Sequence, residues 1–115
     1  MIHIGTDILE VSRIKKNIES KKDRFLNRIF TEKEIEYCRS KSNPAIHYMG
    51  RFAAKEAIKK AVLSSRLISR ISMKEIEIVS EEGIPRVNIT SLSNLIRLSI
   101  SHTDNFATAT AIIIE

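Results

Sequence analysis

The chain holds 115 residues, 43% of them hydrophobic and 29% charged, which suits one globular core and leaves too little for two. Disordered, collagen-like and disulfide-framed classes are excluded by that composition. Its 19 Lys and Arg exceed its 14 Asp and Glu, a net charge of +5. The excess is local, because residues 13–28 carry Arg13, Lys15, Lys16, Lys21, Lys22, Arg24 and Arg28 against only Glu19 and Asp23. Such a stretch predicts a docking surface for an acidic partner rather than a diffusely basic protein. Cys38 is alone and cannot close an internal disulfide, so a cytoplasmic setting is expected. Asp7 and Glu10 interrupt the N-terminal apolar residues as no signal peptide core does, and no run approaches the ~18 apolar residues of a membrane span.

Residues 1–11 alternate loosely, with Ile2, Ile4 and Ile8 apolar around Gly5, and predict a strand with Asp7 near its end. Ser12 is placed to cap a basic helix in which Ile14 and Ile18 share a face, and a second short helical piece is expected over residues 25–29. Thr31 and Glu34 have the spacing of a capping box, opening a helix over residues 32–39. Asn43 and Pro44 restart the chain as the longest helix, running to about Leu63. Residues 75–79 alternate as a strand, residues 82–85 have turn chemistry, and residues 87–89 form a short strand. Residues 96–101 and 106–114 flank His102-Thr103-Asp104-Asn105 as an antiparallel hairpin. Helices early and strands late predict an α+β fold, a single domain over residues 1–115.

Winding the longest helix at about 100° per residue places Ile46, Met49, Phe52, Ala53, Ala57 and Ala61 on one apolar arc. Arg51, Lys55 and Lys59 fall outside it, as solvated charges should, whereas Glu56 and Lys60 fall within it. A carboxylate turned toward a core needs compensation, either from Lys60 one turn on or from a bound metal ion. Asp7 is a second displaced carboxylate, on an apolar strand where Asp is disfavoured, beside a glycine that lets a ligand approach. If that strand packs on the helix, Asp7 and Glu56 can share one divalent cation, with waters and phosphates completing its shell as is usual for Mg²⁺. His3 and His47 lack supporting neighbours, and His102 sits at a strand end among hydroxyls. Cys38 has no histidine at useful spacing and reads as a buried thiol. Zinc spacings, a P-loop, a dinucleotide glycine motif and a serine elbow are all absent.

Three blocks, Ile4-Gly5-Thr6-Asp7-Ile8, Gly50-Arg51-Phe52-Ala53-Ala54-Lys55-Glu56-Ala57 and Ser99-Ile100-Ser101-His102-Thr103, resemble the holo-acyl-carrier-protein synthase type of 4′-phosphopantetheinyl transferase. Arg24-Phe25, Arg28-Ile29-Phe30-Thr31 and the Gly83-x-Pro85 turn add to the resemblance, which runs in order along the whole chain and is loose over residues 14–23 and 63–73. It implies a compact fold with helices packed on an antiparallel sheet, assembled as a trimer with active sites between subunits. It also implies an enzyme that moves the phosphopantetheine arm of coenzyme A to a serine of apo acyl-carrier protein, releasing 3′,5′-ADP, in support of fatty acid biosynthesis. Asp7 and Glu56 then match Mg²⁺ ligands. Arg51, Lys55, Lys60 and His102 match positions around the coenzyme A phosphates, with Lys60 also assisting the leaving group. Arg13, Arg24 and Arg28 match carrier-docking arginines, and the acidic partner of the basic stretch becomes the carrier protein.

The competing reading is a small basic nucleic-acid-binding module. Against it, the six aromatic residues are scattered, Phe25 alone lies in the basic stretch, and Glu56 is left without a role. Neither a nucleic acid nor a membrane is therefore expected as partner.

Overall fold

The computed structural model describes residues 1–115 apart from the side chains of Lys21 and Lys22, so the attraction expected of those two lies outside the described residues. The order is β1 (Ile2–Glu10), α1 (Val11–Ile29), α2 (Glu32–Arg39), α3 (Pro44–Ser65), a 3₁₀ turn (Met73–Glu75), β2 (Ile76–Glu81), β3 (Ile84–Ile89), β4 (Leu95–His102) and β5 (Phe106–Ile114). The architecture is α+β. An antiparallel sheet of order β1-β5-β4 packs on α3, and β2 and β3 form a separate antiparallel hairpin.

Local chemistry accounts for most boundaries. Thr31 and Glu34 form the expected capping box, and Pro44 occupies the first turn of α3, although the Asn43 side chain makes no capping bond. Ser12 does not cap α1. The chain passes from strand to helix without a turn, Glu10 is the extended cap residue, and the Val11 N–H donates to the Asn105 carbonyl at 2.8 Å. A tertiary contact thus satisfies the first of the N–H groups that the start of the helix leaves unpaired. α1 also runs unbroken through residues 25–29, because Ile14, Ile18 and Phe25 keep one apolar face against the core. The β2–β3 turn has positive φ at both Glu82 (51°) and Gly83 (78°), the geometry of a tight two-residue hairpin loop, so β3 starts earlier than expected.

α3 is enclosed on nearly every side, and its buried residues include Met49, Ala53, Ala54, Ala57, Ile58, Ala61 and Val62. The wheel gave it a single apolar arc and a wet remainder; the fold gives it the sheet on one flank and α1, α2 and β2 on others. Glycine and alanine let it approach the sheet. Gly5 on β1 pairs with Ala111 on β5, and Ala107, Ala109 and Ala111 are all buried. A Cβ added at Gly5 would lie 2.0 Å from the Ala57 carbonyl oxygen and 2.7 Å from the Ala61 nitrogen. Because a strand alternates faces, the phase that turns Gly5 inward also turns Asp7 inward and Ile2, Ile4 and Ile8 outward. Asp7 lies within the strand, opposite Ala109, rather than near its end.

Both of those contacts are to backbone, so a methyl at position 5 must push the helix from the sheet. Gly5→Ala should cost about 2 kcal/mol or more, read as a lowered urea midpoint. An unchanged midpoint would contradict the close approach.

Candidate active site

The inward phase of β1 brings Asp7 against α3, where its side chain is 17% exposed. Lys60, itself 56% exposed, donates to the Thr6 carbonyl at 3.0 Å and to Asp7 Oδ1 at 3.3 Å. The i,i+4 pairing of Lys60 with Glu56 is therefore not the one formed, and Lys60 stands in solvent rather than on an apolar arc. Glu56 is half-buried and takes part in no ion pair among the described residues. Asp7 and Glu56 line one cavity of about 290 Å³, together with Arg13, Asn17 and Phe52. The described residues hold no cluster of three or more His, Cys, Asp or Glu able to cage an ion. Two carboxylates lining one cavity, one of them without a cationic partner among the described residues, are a donor set that fits a hard cation keeping waters or phosphates in its shell.

A second cleft, of about 400 Å³, opens between α2, α3, the β2–β3 hairpin and β4, with Tyr37, Arg51, Ser80, Ser99 and His102 among its lining. Arg51 is not the solvated charge the wheel implied: it is 7% exposed, and its Nε has no hydrogen-bond partner. The guanidinium lies over the Tyr37 ring, 3.8 Å from the centroid. A cation–π contact of this kind contributes about 0.5–2 kcal/mol and does not neutralise the charge. His47 meets the same ring edge-on at 5.8 Å; burial, followed by the charges of Arg51, Lys41 and His102, holds its imidazole below the ordinary range. The cleft is thus cationic, and the buried Nε of its lining arginine is left without a partner. His102 is exposed at the end of β4. Among the described residues none lines both cavities; a shallow depression shares His102 with one and Ile8 with the other.

Lys55 departs furthest from expectation. Lys55 and Glu34 are both 0% exposed and form an ion pair. Lys55 Nζ donates to the carbonyls of Ile29 (2.7 Å) and Met73 (3.0 Å). Glu34 accepts from the Thr31 N–H at 2.8 Å and from the Ile78 N–H at 2.9 Å. Burial lowers the ammonium from its usual range while the negative charge of Glu34 opposes that shift. Lys55 is thus neither solvated nor directed into the cationic cleft; its charge is committed to the interior. Glu34 was visible in the sequence, but its cap role explained it fully and hid the second one. Cys38 is fully buried and burial pushes its thiol up to about 12, which leaves it protonated and inert.

Arg13, Arg24 and Arg28 are all exposed on α1. At 100° per residue they fall within about 60° of one another, a stripe whose first member also lines the Asp7–Glu56 cavity. Asn17 lies on the same stripe and in the same cavity, and nothing in its sequence context marked it.

A sequence model of the 4′-phosphopantetheinyl transferase superfamily matches residues 3–111, and the chain belongs to that family. The relatives it matches over nearly their whole length are holo-[acyl-carrier-protein] synthases. That of Chlamydia pneumoniae is 46% identical over 119 residues, covering 97% of this chain and 96% of the relative. The fold is similar to the crystal structure of the holo-[acyl-carrier-protein] synthase from Neisseria meningitidis, with a TM-score of 0.87, 29% identity and full coverage of both chains. It is similar also to the holo-(acyl-carrier-protein) synthase from Bacillus anthracis solved in complex with CoA (3′,5′-ADP), with a TM-score of 0.82 and 34% identity over 96% of this chain and 94% of that one.

Replacing Lys55 by Met would leave the Glu34 carboxylate buried without a counter-charge. The expected cost is about 3–5 kcal/mol, measured by chemical denaturation, with part of it recovered in the Glu34→Gln/Lys55→Met double variant. A single variant as stable as the parent would mean the pair is not what holds these elements together.

Proposed function

We infer that this chain is a phosphopantetheinyl transferase of the holo-[acyl-carrier-protein] synthase type: it transfers the 4′-phosphopantetheine arm of coenzyme A to a serine hydroxyl of apo acyl-carrier protein. A serine Oγ–phosphorus bond forms, the pyrophosphate P–O bond breaks, the serine proton is lost and 3′,5′-ADP leaves. The observation that carries this reading is the meeting of Asp7 and Glu56 in one cavity with Arg13 of the basic helix in its wall.

Asp7 and Glu56 would hold the Mg²⁺, which when bound neutralises charge building on the pyrophosphate oxygens. Lys60, tethered to the Thr6 carbonyl, presents an exposed ammonium beside them for the departing phosphate. Arg51, with its unpartnered Nε, and His102 at the cleft rim would receive phosphates of coenzyme A. Fixed cations in a partly dry cleft act before charge develops, so positioning and electrostatics supply most of the rate. Lys55 is left out of this set because its three donor directions are used inside the protein.

Residues 1–115 act as one domain, and the working unit is a homotrimer with sites between subunits. Two features support this. The carboxylate pair and the cationic cleft have no lining residue in common among the described residues of one chain. The outer face of the sheet also exposes Ile2, Ile4, Ile8, Leu95, Phe106 and Ile114, with Ile2, Ile114 and Leu95 in one cross-strand row. An apolar face of that extent marks a protein contact. The Arg13, Arg24 and Arg28 stripe receives the acidic carrier and leads its serine toward Asp7 and Glu56. A cytoplasmic setting and a place in fatty acid biosynthesis belong to this reading; no helix is long and apolar enough to cross a membrane.

Incubation with coenzyme A, Mg²⁺ and an apo carrier protein should add the phosphopantetheine mass to the carrier. Chelation should abolish the addition and Glu56→Gln should slow it about a hundredfold or more; no mass shift with several competent carriers would reject the assignment. The active preparation, sized by light scattering, should contain three chains, and activity in a monomer would reject the shared site. Arg13→Glu with Arg24→Glu should raise the KM for carrier about tenfold or more and leave the KM for coenzyme A nearly unchanged, whereas equal loss in both would show that the two surfaces are not separate.

A further inference from the structure

Arg51 is a nearly enclosed cation, 7% exposed, that forms no salt bridge among the described residues. Its guanidinium carbon lies 3.8 Å from the centroid of the Tyr37 ring on α2. Lys41 lies 4.6 Å from the same ring, and the ring of His47 meets it edge-on at 5.8 Å. Tyr37 and Arg51 both line the cationic cleft, across from Ser99 and His102 of β4. One aromatic ring therefore gathers three basic groups beside the cleft read as the coenzyme A site.

A carboxylate at position 37 would hold Arg51 as firmly, but it would cancel the charge, and an anionic ligand would have to break the pair before binding. A ring face fixes the guanidinium through its quadrupole and leaves the full charge available. We propose that Tyr37 is a positioning residue that presents Arg51, through its ring and not its hydroxyl, to a phosphate of the nucleotide end of coenzyme A. The proposal rests on the reading of this cleft as the coenzyme A site. Position 37 becomes a determinant of nucleotide affinity without taking part in the chemistry at Asp7 and Glu56.

The test compares wild type with Tyr37→Phe, Tyr37→Leu and Tyr37→Glu in the full chain. It reads the KM for coenzyme A, the KM for carrier, kcat, and calorimetric binding of 3′,5′-ADP without carrier. Tyr37→Phe should stay within about twofold of wild type in every quantity, since the ring remains. Tyr37→Leu should weaken coenzyme A and 3′,5′-ADP about fivefold to tenfold with kcat and carrier KM nearly unchanged. Tyr37→Glu should weaken them further than Leu does, because it holds Arg51 and neutralises it. Equal nucleotide affinity in Tyr37→Leu and wild type, or a Phe variant as weak as Leu, would overturn the role of Tyr37 alone. Failure of wild type to bind either nucleotide would overturn the reading of the cleft and the proposal with it. If Tyr37→Leu does not fold, the contrast between Phe and Glu decides, and a Glu variant that binds as Phe does would overturn the proposal.

Discussion

The buried pair of Glu34 and Lys55 is the constraint on which the arrangement of helices and hairpin depends. Through it, the start of α2, the end of α1, the middle of α3, the 3₁₀ turn and β2 all meet at two side chains. An apolar pair of similar volume could be as stable, because removing two charges from water offsets much of their attraction. What apolar groups lack is direction. Each bond to a backbone N–H or carbonyl fixes one element at one distance, and the cleft lined by Tyr37, Arg51, Ile78 and Ser80 inherits its shape from those fixed positions. Lys55 lies one turn beyond Arg51 and next to Glu56, so the same anchor sets the rotation of α3 for both cavities.

That rotation explains why the two cavities are separate. Arg51 and Glu56 are five residues apart, about 140° around the helix, so one points toward α2 and β4 while the other points toward β1. A single helix feeds two cavities on different flanks, joined within one chain only by the shallow depression at Ile8 and His102. The apolar outer sheet and the divided site are two expressions of the same geometry, and the proposed trimer answers both.

Much of this was legible in the sequence, for local reasons. The Thr31–Glu34 capping box, Pro44, the late hairpin and the odd placement of Asp7 and Glu56 are marks that neighbouring residues leave on one another. The misreadings have one origin, which is that a wheel or a cap rule treats an element as though one side always meets water. α3 has almost no wet side, so Arg51 and Lys55 are enclosed and Lys60, assigned to the core, is exposed. Lys60 reached across to Asp7 rather than along to Glu56, a choice that depends on the strand lying where Gly5 allows it. Ser12 lost its cap role because the helix begins one residue before it, at Val11, whose N–H is held by a carbonyl more than ninety residues away. Tyr37 carried no signal, since an aromatic on a short helix is ordinary until its neighbours are known.

β1 has only β5 as a sheet neighbour, so residues 2–10 find their hydrogen-bonding partners in residues 106–114. Pairing of such distant segments must close a long loop before its contacts repay that cost, which slows it. The Asp7 backbone carbonyl accepts from Thr108, so the backbone that carries this carboxylate is pinned only when the far segment arrives. During synthesis the first strand leaves the ribosome with Ile2, Ile4 and Ile8 uncovered and waits for almost the whole chain. The helices can form meanwhile around Glu34 and Lys55. Closure of the sheet then brings Asp7 to Glu56, and a partly made chain carries the basic helix without the cavity these two carboxylates line.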